Sequence, residues 1–391
     1  MKHNICLVTG TRAEYHLLHP VIVALQKEPA FHVMLAVTGA HLSEQQGNTW
    51  RDIEKDGIRI DAKIPILGDG DSESDINHAM SRAIDGFDAF FHESRPELVV
   101  ILGDRYEMLS VAIVCMNMRI PIAHLHGGET TEGAVDESIR HAITKMSYLH
   151  FTSCEEYRKR VIQLGESPER VFNVGALGIE NIKNVKRMTR EELGESIGFD
   201  LSGPYALFTY HPVTLESHAE GQDIREILAA LDDFPDLKIL FTKANADHGG
   251  ALINRMIDEY VSKHPDRCTA VYSLGMERYL SAMSHASVVI GNSSSGIVES
   301  PSFGVPTVNI GDRQKGRIRA ENVIDCPAER KEVSKTIRRA FSAEFIAIAK
   351  SVINPYGDGN TSERIVKHLN QFLSSGHTSL KKTFFDIDFV C

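Results

Sequence analysis

The chain has 391 residues, 42% of them apolar and 24% charged, which is the make-up of a globular protein and excludes a fibrous or disordered one. Acidic residues outnumber basic ones, 53 against 42, and the net charge of -11 repels polyanions, so nucleic acid is not expected as a partner. A small anion gathered by a few converging arginines remains compatible with that balance, and the length suits two or three domains.

Short runs rich in Val and Ile alternate with helical patterns along the whole chain. Asn4–Thr9 reads as a strand, followed by a turn at Gly10 and a helix over about Ala13–Gln26. Phe31–Val37, Leu98–Leu102, Ile120–Leu125, Leu149–Thr152 and Val171–Val174 follow as strands, with a helix at Asp136–Met146. The polar, glycine-containing stretch Arg187–Pro204 reads as a linker. A second set begins beyond it. Ala206–Tyr210, Lys238–Phe241, Ala270–Tyr272, Ser287–Ile290 and Thr307–Ile310 are expected strands, with helices at Ile224–Leu231, Glu277–Ser284 and Thr361–Phe372. Near-continuous apolar strands separated by helices imply parallel sheets covered on both faces, and hence two doubly wound α/β domains. In such sheets ligands bind beyond the carboxyl ends of the strands, so the loops there are where chemistry is expected. No apolar run approaches the ~20 residues of a membrane span, and the first residues lack a signal-peptide pattern. Six scattered cysteines, without a Cys-x-x-Cys pair, read as free thiols in a reducing cytoplasm, none of them catalytic.

Several of those loops carry charged groups in unusual density. After the first strand comes Gly10-Thr11-Arg12, a tight turn into a helix start that either favours an anion or is an ordinary turn with a surface Arg. It is not Gly-x-Gly-x-x-Gly, so the dinucleotide fingerprint is absent. Asp104 and Arg105 follow the buried strand Leu98–Leu102, where unpaired charges would be costly. The segment His124–His141 holds three His, four carboxylates and one Arg, with Gly127 and Gly128 letting backbone approach a ligand closely. Asp136 and Arg140 lie four apart, on one helix face. No His-x-x-x-His spacing or Cys partner accompanies His124 and His126, so no metal is expected there. In the second half His211 and Asn245 end strands. Gly291-Asn292-Ser293-Ser294-Ser295-Gly296 is a strand-to-helix turn whose hydroxyls and N–H groups suit a phosphate. Arg313, Lys315, Arg317 and Arg319 put four cations within seven residues just after the next strand.

Taken in order, Gly-Thr-Arg-Ala-Glu, Gly-Asp-Arg-Tyr-Glu, His-x-His-Gly-Gly-Glu with Asp-Glu-Ser-Ile-Arg-His, His-Pro-Val-Thr, Gly-Asn-Ser-Ser-Ser-Gly and Gly-Asp-Arg-Gln-x-Gly-Arg resemble the hydrolysing UDP-N-acetylglucosamine 2-epimerases of sialic-type (nonulosonic) acid biosynthesis, from about Ile5 to Leu373. The resemblance implies a GT-B-like fold, two Rossmann-like doubly wound domains facing each other across a cleft. They would be residues 1–185 with the acid/base groups, residues 186–375 binding UDP, and a tail at 376–391. It places Arg12, Arg105, His211, Asn245, Ser293, Ser294, Glu299 and Arg313 at positions where the family binds UDP, Ser294 toward phosphate and Glu299 toward ribose. Asp104, Asp136 and Arg140 fall on positions tied to catalysis. Many relatives carry His-x-Glu-Gly-Gly-Glu; here the first Glu is His126, so either His126 or Glu129 does that acid/base work.

The reaction so implied converts UDP-N-acetylglucosamine and water to N-acetylmannosamine and UDP, through departure of UDP, a 2-acetamidoglucal and rehydration. A His at position 126 also resembles the branch acting on UDP-N,N'-diacetylbacillosamine in legionaminic acid synthesis; a GT-B glycosyltransferase is a further alternative. The resemblance implies no cofactor, no metal, a cytoplasmic homo-oligomer (dimer or tetramer) and a place in capsule polysaccharide supply.

Overall fold

A computed structural model describes residues 2–44, 46–68, 70, 72–130, 135–212, 221–244, 250–376 and 379–388. The chain divides into two compact units, Met1–Asn181 with Tyr356–Cys391, and Ile182–Pro355. In the first, β1 (His3–Thr9), β2 (Phe31–Thr38), β3 (Ala62–Ile64), β4 (Leu98–Leu102), β5 (Ile122–Leu125), β6 (Leu149–Thr152) and β7 (Val171–Asn173) form a parallel sheet in the order β3-β2-β1-β4-β5-β6-β7. In the second, β8 (Tyr205–Thr209), β9 (Lys238–Thr242), β10 (Cys268–Val271), β11 (Val288–Gly291), β12 (Thr307–Ile310) and β13 (Val323–Cys326) lie in the order β10-β9-β8-β11-β12-β13, again parallel.

The two-residue period of a strand explains why these sequences read as unbroken apolar runs. In β4, Leu98, Val100 and Leu102 enter one core while Val99 and Ile101 enter the core on the opposite face. In β8, Ala206 and Phe208 face one core and Tyr205 and Leu207 the other. Each such side chain, fully buried, contributes ~1.5–3 kcal/mol of transfer free energy. Both sheets reverse their strand order once, between β1 and β4 and between β8 and β11, and those switch points are where the carboxyl ends of adjacent strands part to leave a crevice.

Two expectations need correction. The stretch read as a linker contains the helix Arg190–Ile197. Thr189 and Glu192 form a reciprocal capping box at its start, and Gly198 closes it in the left-handed conformation. The expected boundary at 375 is displaced, because the helix Thr361–Ser374 belongs to the first unit. Its Ile365, Val366, Leu369 and Leu373 share a core with Leu18, Leu25 and Val174. Arg364 donates to the Val174 carbonyl at 3.1 Å, and His368 stacks on Phe172 with ring centres 3.8 Å apart. Residues of the tail at 376–391 are also held there. Lys382 donates to the Ser147 carbonyl at 2.6 Å and pairs with the buried Glu166 at 2.7 Å.

Among the described residues no helix is long and apolar enough to cross a membrane. Cys6, Cys115, Cys154, Cys268 and Cys326 are buried free thiols.

Candidate active site

The first switch point gathers the charged residues of unit one. Arg12 opens the helix Arg12–Lys27, and its Nε lies 3.4 Å from His16 Nε2. The N–H groups of Gly10 and Thr11, expected to favour an anion, are already taken. Both donate to Glu14 Oε2, at 2.8 and 3.1 Å, while Thr11 caps the Glu14 amide. Arg105 enters from the end of β4 and donates from Nε to Glu107 Oε1 at 2.6 Å, with Glu14 Oε1 at 3.9 Å. Two carboxylates therefore face one guanidinium. Burial, and then the charge of Glu107, push the Glu14 carboxyl up to about 7. Glu107 is fully buried and its Oε2 has no hydrogen-bond partner.

Asp104, one residue earlier, pairs with the buried Arg140 from the helix Val135–Met146. Arg140 also donates to Glu137 Oε2 at 2.9 Å and to the Glu129 carbonyl at 2.8 Å. The sequence suggested Asp136 as the helical neighbour of Arg140. Asp136 instead lies exposed on the first turn, and Glu137, three residues away, makes the pair. His124 is a core residue: Nε2 lies 2.7 Å from the Gly103 carbonyl and Nδ1 3.3 Å from Thr144 Oγ1. Burial drives its pKa down to about 3, so it stays neutral and holds the backbone beside Asp104.

His126 follows β5 with φ of +63°, a left-handed conformation that costs a non-glycine residue ~1–2 kcal/mol. Its Nδ1 is 3.3 Å from Glu129 Oε1, and its Nε2 accepts from the Leu177 amide at 3.3 Å. Glu129 Oε1 also accepts from the Ser153 hydroxyl at 2.7 Å. The close approach made by the glycine pair is to the protein itself: at Gly128, with φ of +80°, a Cβ would stand 2.5 Å from the Tyr157 carbonyl oxygen. Asp104, Arg140, His126 and Glu129 are thus joined by direct contacts. Arg105 belongs to a neighbouring cluster with Glu14 and Glu107, and Arg12 contacts His16.

The second switch point, in unit two, is built mostly from neutral groups. Gly291 ends β11 with φ of +134°, and a Cβ there would fall 1.8 Å from the Thr209 carbonyl oxygen, so only glycine lets β11 and β8 run side by side to their ends. The buried Asn292 then clasps the end of β8. Its Oδ1 accepts from the His211 amide at 2.7 Å and its Nδ2 donates to the His211 carbonyl at 2.8 Å. Ser293 accepts from the Ser295 amide at 3.4 Å, and Ser294 precedes the short helix Ser295–Val298. Glu299 follows, partly buried; burial raises its carboxyl to about 7, opposed by the Ser295 hydroxyl. Burial, then Glu299, push the nearby Tyr279 hydroxyl up to about 12.

Three of the four cations after β12 have separate partners. Arg313 Nη1 donates to the Asn292 carbonyl at 3.1 Å, which ties it to the Ser/Gly turn. Arg319 is held by Asp325 at 2.9 Å, and Lys315 lies 3.4 Å from Asp312. Asn245 lies outside the described residues. Sequence reading missed Glu14, Glu107, Glu137, Ser153 and Asn292. Thr11 and Glu14 carry the spacing of a capping box, a signal that was available; nothing local marks Ser153, whose partner is 24 residues away. Among the described residues no group of three or more His, Cys, Asp and Glu is arranged to hold a metal ion.

Comparison with known proteins gives the chain its family. Residues 23–370 match the family model described as UDP-N-acetylglucosamine 2-epimerase. A GDP/UDP-N,N'-diacetylbacillosamine 2-epimerase (hydrolyzing) of Campylobacter jejuni is 45% identical over 344 residues, 88% of this chain and 89% of the relative. The polysialic acid biosynthesis protein P7 of Escherichia coli is 40% identical over 98% of this chain and 97% of its own length. Among solved structures, the UDP-GlcNAc 2-epimerase from Neisseria meningitidis bound to UDP-GlcNAc superposes with a TM-score of 0.79 at 18% identity, over 94% of this chain and all of that one, a likeness of fold. With the family model spanning most of its length and such relatives at 40–45% identity, the chain belongs to the UDP-N-acetylglucosamine 2-epimerase family.

Proposed function

We propose that this protein hydrolyses a UDP-linked 2-acetamido sugar with inversion at carbon 2, releasing UDP and the free 2-epimer. The observation that carries the reading is the contact set of Asp104, Arg140, Glu129 and His126 at the carboxyl ends of adjacent strands in a member of this family. The proton on carbon 2 is not beside a carbonyl, so it is acidic only as the carbon 1–oxygen bond to UDP opens and positive charge develops on the ring. Groups that stabilise the departing diphosphate therefore come first. Ser293, Ser294 and Arg313 beside Asn292 suit that task, and one such donor is worth ~3–4 kcal/mol in the barrier. Glu299, held partly protonated near neutrality, suits a ribose hydroxyl, which it can meet as donor or acceptor. A base then takes the carbon 2 proton to give a 2-acetamidoglucal, and water adds back with the opposite configuration; acid/base groups contribute ~10²–10⁴-fold. Asp104, paired with Arg140, and Glu129 are the carboxylates within this set, and the resemblance adds the exposed Asp136 as a third acid.

For the sugar, the 45% identical relative named for N,N'-diacetylbacillosamine favours the 4-acetamido-4,6-dideoxy substrate beside N-acetylglucosamine itself. Incubation with each UDP-sugar, followed by proton NMR, tests both points. Free 2-epimer and UDP without any acceptor are expected, and the faster substrate names the branch; intact donor in both tubes would sink the reading. Asp104→Asn is expected to abolish turnover while UDP binding survives.

A further inference from the structure

We propose that Glu129 is the carboxylate that exchanges the carbon 2 proton, and that Ser153 and His126 are positioning residues that hold it. The inference rests on the hydrolytic reading above and settles which of Glu129 and His126 handles the proton.

A backbone amide can only donate, so the Leu177 N–H 3.3 Å from His126 Nε2 requires a lone pair there. The ring proton then resides on Nδ1, which faces Glu129 Oε1 at 3.3 Å. Both nitrogens of His126 are engaged within the protein, one as acceptor and one as donor, and neither is set to take a proton from a sugar. Ser153, fully buried just beyond β6, donates to the same Oε1 at 2.7 Å. Two donors on one oxygen stabilise the charged carboxylate and fix its rotamer.

The backbone on either side is pinned as well. Arg140 holds the Glu129 carbonyl at 2.8 Å, and Arg160, from the helix Glu155–Gln163, holds the Gly128 carbonyl at 2.6 Å. Among the described residues, the groups facing Glu129 are His126 from its own loop, Arg140 with Asp104 and Glu137 attached, Arg160, and Ser153 with the adjoining Cys154, whose thiol is raised by burial first and only slightly by the Glu129 charge. In the step assigned to it, the carbon 2–hydrogen electron pair becomes the carbon 1–carbon 2 double bond. The carbon 1–oxygen pair leaves on UDP, and the proton moves to Glu129, which must be ionised to receive it.

Two measurements test this. In kcat and kcat/KM against pH, Ser153→Ala is expected to lower kcat by ~10–100-fold with KM little changed, and to move the acid limb up by about one pH unit, the loss of one charge-assisted hydrogen bond. Ser153→Thr, which keeps the hydroxyl, restores both, and Glu129→Gln removes turnover. A wild-type pH profile in Ser153→Ala, or turnover that survives Glu129→Gln and is lost in His126→Gln, would overturn the assignment. Carboxyl carbon-13 NMR of Glu129 needs no turnover. Its midpoint is expected about one unit higher in Ser153→Ala than in wild type, with Ser153→Cys between them should the alanine variant fold poorly. Equal midpoints refute the positioning role. A wild type inert toward both UDP-sugars, with the midpoints still separated, would refute the reaction and leave the contact intact.

Discussion

The two switch points share one topology and differ in chemistry. At β1/β4 the loops are held by ions: Asp104 on Arg140, Glu14 and Glu107 on Arg105, and Glu129 beneath His126 and Ser153. At β8/β11 the loops are held by an amide clasp, serine hydroxyls and a glycine, with one carboxyl kept near neutrality. A doubly wound sheet supplies the crevice in both cases, and the side chains lining it decide what it can do. Fixed charges suit proton transfer and developing charge. A neutral, donor-rich turn suits an anion that arrives with its own charge.

Substitutions sharpen that contrast. The largest effect is expected for Arg140→Met, which strands Asp104 and Glu137 without their cation. Turnover should vanish and the unfolding transition of unit one should weaken by ~3–5 kcal/mol, read by urea titration. A fully stable, active variant would show that the ions there are ornamental. Gly291→Ala breaks the other side by geometry, since its Cβ collides with the Thr209 carbonyl. About 3 kcal/mol or more of destabilisation, with UDP affinity lost in calorimetry, is expected.

Smaller effects follow from titration. Glu14 has its folded-state pKa raised from 4.5 to about 7, so the native state binds the proton more tightly than the unfolded chain. Stability should fall as pH rises through that window, by roughly 3 kcal/mol across it. Glu14→Gln keeps an acceptor for the Gly10 and Thr11 amides and should flatten the slope; an unchanged slope would acquit Glu14. Smallest of all, Lys315→Ala breaks an exposed pair and should change stability by less than ~0.5 kcal/mol. Its UDP affinity should stay at the wild-type value, whereas Arg313→Ala, which removes one of the two side-chain donors on the Asn292 carbonyl, should bind UDP about tenfold more weakly by calorimetry.

How far the residues speak for themselves can be judged element by element. Runs such as Leu98–Leu102 and Tyr205–Thr209 are legible because burial on both faces leaves no polar position to confuse the period. Asp104 is legible for the same reason, a charge at the end of a buried strand. The helix Arg190–Ile197 was hidden by its glycines, although Thr189 and Glu192 carried a capping signal. Lys315 and Arg319 looked like partners of Arg313 because density of charge along a chain is visible and the acids that absorb it are not; Asp325 comes from another strand. Ser153 and Asn292 owe their roles to neighbours in space. Only a sheet register brings them there.

The return of Thr361–Ser374 to the first unit has a consequence for how the molecule is made. Because that helix completes the core over Leu18, Leu25 and Val174, an emerging nascent chain cannot fully cover one face of its first sheet when residue 181 leaves the ribosome. At ~5–20 residues per second, the stretch 182–360 takes roughly 10–40 s more, time in which the later-born unit can finish first. The earliest-synthesised half then waits, one face greasy and uncovered, which makes it the half that chaperones should recognise and that premature termination should send to aggregate.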